Sequence, residues 1–201
     1  MTDGQSVTGW RFLALWVLLT AVGYAVGFLV GFVLGHLVLG NVSVGIGIGA
    51  VTGLMQWLLL RRRIERSTMW ILANVIGLTL FLGLYGIAQL LWGIPFDLGW
   101  PWGVLGWGTA FLLGGALAGV MQQRILRRRT DRAAGWVVVS AVGWALSVFA
   151  FTIPPTGPGT GSTVYVVFRN GLAAPAVAGI ILGLVTGIGL VRILGRPRQQ
   201  D

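Results

Sequence analysis

The chain has 201 residues, 56% of them hydrophobic and only 9% charged, with a mean hydropathy of +0.86. A soluble domain carries about 25% charged residues, so this chain cannot furnish a water-facing surface. The formal charge of +9 comes from 14 basic residues against 5 acidic ones, and the absence of cysteine removes disulfides, thiolate chemistry and Cys-ligated metals.

Six long stretches, free of charge but for Arg11 and Arg192 at their ends, follow one another at roughly residues 11–36, 42–60, 69–93, 102–123, 134–153 and 171–194. Each has the length of a membrane-crossing helix. The fold class expected is therefore all-α: a polytopic membrane bundle of six transmembrane helices, forming one transmembrane domain over 1–201.

Span one carries Gly23, Gly27, Gly31 and Gly35 at every fourth residue, hence on one helix face. His36, the single histidine, falls near its outer end. One imidazole among such neighbours cannot build a metal site, so an interfacial place is expected. No Asp, Glu, Lys or Arg occurs from Phe12 to Leu60, too long a run for one span, which predicts a tight turn near Gly40-Asn41-Val42-Ser43. The run is also too long for a secretory signal peptide. Span two repeats the glycine row at Gly45, Gly49 and Gly53, adds Gln56, and is followed by Arg61, Arg62, Arg63 and Arg66.

Span three opens on Trp70 and contains Asn74, Gly77 and Gln89; the outer loop Ile94–Pro101 follows. Span four has Gly115 and Gly119, with Phe111 at the third place of the row, and then Gln122, Arg124, Arg127, Arg128, Arg129 and Arg132. Span five opens on Trp136, with Ser140 and Gly143. The loop Pro154–Asn170 is turn-forming in its first half, while Thr163–Asn170 alternates weakly and reads as a surface or short extended piece. Span six repeats the row at Gly179, Gly183 and Gly187 and ends on Arg192, Arg196 and Arg198.

Thirteen of the 14 arginines, all but Arg169, fall on one side of a six-span arrangement. The positive-inside rule makes that side cytoplasmic, with both termini there, and assigns the chain to a cell (plasma) membrane. Trp10, Trp70 and Trp136 are expected at the inner headgroup level, and Trp92, Trp100 and Trp102 at the outer one. The arginines cluster beside apolar stretches, so anionic lipid headgroups, not nucleic acid, are the expected partner of Arg61, Arg62, Arg63, Arg124, Arg127, Arg128, Arg129 and Arg192.

A shift of 66 residues superposes Gly53-Leu-Met-Gln56 on Gly119-Val-Met-Gln122, then Arg61–Arg63 on Arg127–Arg129, Trp70 on Trp136 and Gly77 on Gly143. Trp16 through Gly23 matches Trp136 through Gly143, and Val51-Thr52-Gly53 matches Val185-Thr186-Gly187. Three two-helix units, 10–66, 67–132 and 133–198, are therefore expected, related by a pseudo-threefold axis along the membrane normal. On Gly-x-x-Gln, the Arg triplet and the following Trp and Gly, the chain resembles bacterial multi-pass membrane proteins built from repeated helical hairpins. That resemblance implies no activity. The three-times-two plan is analogous to mitochondrial carriers, whose Pro and charged signature on odd spans is missing here.

Functionally, no Asp or Glu falls mid-span, which lowers the case for proton- or sodium-coupled transport. No nucleophile–base set, phosphate loop or metal motif occurs; Gly45-Ile-Gly47-Ile-Gly49 lies inside a span and is no dinucleotide loop. A non-enzymatic scaffolding or accessory subunit without a cofactor is expected. The alternative is a small-solute or lipid transporter or channel, with a polar path of Gln56, Gln122, Asn74 and Ser140 between the hairpins. The glycine rows predict internal helix packing; a homo-oligomer or partner-protein interface, or a groove for a flat lipid or pigment, is the other reading.

Overall fold

A computed structural model describes residues 9–35, 41–61, 63–64, 67–92, 102–128, 130–152 and 169–194. The helices are α1 (Gly9–Leu34), α2 (Asn41–Leu60), α3 (Met69–Trp92), α4 (Trp102–Leu126), α5 (Trp136–Ser147), α6 (Phe149–Thr152) and α7 (Ala174–Leu194). A 3₁₀ turn over Asp131–Gly135 leads into α5, and a π-helical turn over Arg169–Ala173 leads into α7. Six stretches are long and apolar enough to cross a bilayer, with α5 and α6 together making the fifth. The 26 residues of α1 span about 39 Å, against a hydrocarbon core of about 30 Å. The chain is an all-α, multi-pass integral membrane protein.

The expected boundaries hold to within a few residues, with two differences. Asn41, Val42 and Ser43 belong to α2 and not to a turn, while Gly40 lies outside the described residues. The Ser43 hydroxyl donates to the Gly31 carbonyl at 2.9 Å, tying the start of α2 to the end of α1. Arg169 and Asn170 are π-helical, not extended; the rest of that outer loop, His36 and Trp100 lie outside the described residues.

Each span packs against its chain neighbours and α7 packs against α1, so the six close into a ring. The polarity is that of a protein in oil. Leu18, Val33, Leu72, Leu91 and Val138 face outward. Gln56, Asn74, Gln122 and Ser140 are buried at 4%, 1%, 2% and 1% exposure. Side chains four residues apart on the odd spans fill the interior: Trp16, Thr20 and Tyr24; Trp70, Asn74, Leu78 and Leu82; Trp136, Ser140, Trp144 and Val148. Trp70 and Trp136 are therefore core residues, not the headgroup-level anchors expected of them. Trp10, 64% exposed, is the tryptophan at the surface of the first span.

Glycine sets the helix separations. A Cβ on Gly49 would lie 2.7 Å from the Val75 Cα, one on Gly119 3.0 Å from the Val137 Cα, and one on Gly179 2.6 Å from the Ala21 Cα. Gly45 and Gly53 meet α3, Gly115 meets Trp144 of α5, and Gly183 and Gly187 meet α1 in the same way. The glycine rows of the even spans thus close the seams between successive hairpins. Gly23, Gly27 and Gly31 close the seam inside the first hairpin against Thr52, Ile48 and Val44. Gly35, half-buried, sits just beyond α1. The rows are consumed by packing within one chain.

Gly49→Leu is expected to lose more than about 3 kcal/mol of stability, or to yield no folded protein, because its neighbours are backbone atoms. Gly108, with nothing within 4 Å of an added Cβ, is the matched control. Gly108→Leu should stay within about 0.5 kcal/mol of the parent in thermal unfolding in detergent.

Candidate functional site: a buried polar belt and a basic rim

Among the described residues, two tiers at the arginine end of the bundle gather polar side chains. The inner tier is a belt of neutral side chains built one seam at a time. The indole Nε1 of Trp70 donates to Gln56 Oε1 at 2.8 Å, and that of Trp136 donates to Gln122 Oε1 at 2.9 Å. Both pairs join an odd span to the even span before it. The indole of Trp16 donates to Thr186 Oγ1 at 3.0 Å, joining α1 to α7. Leu190 fills the core where the Thr52–Thr186 register would place a third glutamine, so the indole takes the hydroxyl one turn away.

The amide nitrogens extend the belt. Gln56 Nε2 donates to Thr20 Oγ1 at 3.3 Å, and Gln122 Nε2 donates to Asn74 Oδ1 at 3.3 Å. Asn74 Nδ2 donates to the Trp70 carbonyl at 3.0 Å and lies 3.4 Å from Gln56 Oε1. The Ser140 hydroxyl donates to the Gly115 carbonyl at 2.9 Å. Hydrogen bonds thereby run from α5 through α4, α3 and α2 to α1, and from α1 to α7.

The three indoles sit among these bonds. The Trp16 and Trp70 ring centroids are 6.1 Å apart in an edge-to-face pair, and those of Trp70 and Trp136 are 5.5 Å apart. Phe12, Leu60, Leu126 and Leu190 pack the same cluster. The structure thus brings Gln56, Asn74 and Gln122 together, as the sequence led one to expect. Their amides bond to one another and to indoles, and the space between the odd spans is filled by rings. Ser140 is turned to the α4 backbone.

Sequence reasoning missed the indoles of Trp16, Trp70 and Trp136 and the hydroxyl of Thr186. A signal was present: a tryptophan lies 14 residues after each glutamine, Trp70 after Gln56 and Trp136 after Gln122. Chemically the belt is neutral throughout. Its side chains are amides, hydroxyls and indoles, and their hydrogen bonds join the helices to one another.

The outer tier is the basic rim. Arg11, Arg61, Arg63, Arg124, Arg127, Arg128 and Arg192 are exposed, and all fall at the end where α1 begins and α2, α4 and α7 finish. Arg62 and Arg129 lie outside the described residues. The Arg63 guanidinium lies over the Phe12 ring at 4.6 Å and that of Arg61 over the Trp57 ring at 5.4 Å, so each cation rests on an aromatic face while the residue stays exposed. Arg124 and Arg192 occupy the last turns of α4 and α7, where a cation also complements the helix dipole. No known protein family, curated protein or solved structure matches the chain.

Gln122→Leu strands the Trp136 donor and removes a bond to Asn74, and is expected to cost about 1–3 kcal/mol. Trp136→Phe in that background should then cost less than in the parent, with a coupling of about 1 kcal/mol in a double-mutant cycle. Reversible unfolding in mixed micelles measures it, and strictly additive costs would contradict the bond.

Proposed function

We propose that this chain is a non-catalytic scaffold or accessory subunit of a cell membrane, with both termini in the cytoplasm. Its three hairpins act as related units about a pseudo-threefold axis. The observation that carries the reading is the filled interior. Where a solute path would need water, three indoles stand ring to ring, and the amides beside them spend their donors and acceptors on one another. Closely packed glycine seams add stiffness, a property suited to holding a partner and not to alternating access. The arginine rim engages anionic headgroups of the inner leaflet, and the outward apolar face meets a second copy or another membrane protein.

Native mass spectrometry from mild detergent is expected to find a stoichiometric protein partner or a second copy. Vesicles of phosphatidylcholine and phosphatidylglycerol containing the chain should pass small polar solutes no faster than empty ones. A bare monomer together with solute flux that Gln122→Leu abolishes would sink the scaffold reading. Orientation is open to a separate test, since the chain has no native cysteine. Ala134→Cys, exposed beside α5, should react with an impermeant maleimide in inverted vesicles and not in intact cells.

A further inference from the structure

A groove of about 630 Å3 opens between α3 and α4, on the half of the bundle away from the arginine rim. Its origin can be read in the sequence register. The position that is Gly27 in the first hairpin is Phe81 in the second, and Gly31 becomes Tyr85. On the facing helix, Gly47 becomes Leu113. In the first hairpin, Gly27 and Gly31 let the α1 backbone meet that of α2 at Ile48 and Val44. In the second, Phe81 and Tyr85 stand half-buried at those places, Leu113 is exposed, and a groove opens beside them. Phe81, Tyr85, Thr109, Ala110 and Leu113 line the gap.

We infer that this groove seats one acyl chain of a lipid from the leaflet opposite the arginine rim. The walls offer hydrocarbon. Tyr85 Oη is covered, 3.3 Å from the Cβ position of Gly106, and the Thr109 hydroxyl is spent on the Leu105 carbonyl at 2.7 Å. The lined stretch lies within one leaflet. Toward the arginine end the seam shuts at Gly77, where a Cβ on Gly114 would lie 2.9 Å from the Gly77 carbonyl oxygen. From Leu113 to Leu105 the α4 wall is about 12 Å long, within half of a hydrocarbon core of about 30 Å. A spanning helix cannot lie in a trough that ends halfway across, and a lining of two helical turns is far short of the roughly 800 Å2 per partner of a stable protein interface. A chain that enters from one face and stops at the midplane fits. The proposal does not depend on the scaffold reading.

The test is photolabelling in vesicles of phosphatidylcholine and phosphatidylglycerol, with a trace of phosphatidylcholine carrying a diazirine near its tail end. Label is expected to concentrate several-fold on Phe81–Tyr85 and Leu105–Leu113 over the lipid-facing stretch Val138–Leu146. Ala110→Phe fills the groove and should abolish that excess while leaving the label on Val138–Leu146 unchanged. Thr109→Phe, at the exposed edge, gives the same reading should the first variant fail to fold. Even labelling around the bundle, or an excess that survives both substitutions, overturns the proposal. So does a dimer in native mass spectrometry that either substitution dissolves, because the occupant is then protein.

Discussion

Helices already dissolved in lipid gain nothing by hiding apolar surface from one another, because the bilayer is as apolar as a leucine. What remains is contact at short range: dispersion between closely approaching backbones, and hydrogen bonds that lipid cannot supply. The rest of this structure depends on the first of these. At Gly49 against Val75, Gly119 against Val137 and Gly179 against Ala21, the even spans lie so near the following odd span that no side chain fits between them. Those three seams join one hairpin to the next, so the ring closes only because each has its glycines.

Close approach in turn fixes what the interior contains. With the even spans drawn in, the odd spans must fill the middle, and they do so with one large or polar side chain per turn. A tryptophan is costly there unless its N–H finds an acceptor, since no water is present. Gln56 and Gln122 supply acceptors across two seams and Thr186 supplies one across a third. The polar belt is thus a consequence of large indoles in a dry core, and it locks the register that the glycines merely permit.

Much of this was legible in the residues. Hydropathy and length located all six spans, because a charge in hydrocarbon is too unfavourable to leave the boundaries ambiguous. The spacing of four picked out the packing faces, since only backbone proximity explains a row of hydrogens on a helix. The repeat register singled out Gln56, Asn74 and Gln122 as a set. Their roles were not legible, because a buried amide reads alike in one sequence whether it faces water or an indole. Trp70 and Trp136 were misplaced for a related reason. They stand at the ends of apolar stretches, where tryptophan favours the headgroup layer, but Phe12, Leu60, Ile64, Leu126 and Ala133 pack around them and bury them. The groove beside Phe81 and Tyr85 was not foreseen, although the repeat register carries the replaced glycines, because a gap is a property of two facing helices and not of either alone.

The two hairpins that lack glycine at the outer positions answer the same problem in different ways. In the second, α3 continues unbroken past Phe81 and Tyr85, and the cost appears as separation from α4. In the third, the register places Ser147 and Phe151 at those positions, and the helix itself gives way. Ser147 bonds back to the Trp144 carbonyl at 2.6 Å, Val148 N turns to the Ala145 carbonyl at 3.3 Å, and α5 stops before a short α6 resumes. A hydroxyl returning to its own backbone competes with the helix ladder, and here the bonding tightens to the residue three back. Phe151 meets the Phe28 ring of α1 at 5.8 Å, and Ala150 is buried. A phenylalanine at position 81 has no polar atom with which to bond back to its own backbone, and α3 runs unbroken to Trp92 while the groove opens beside it.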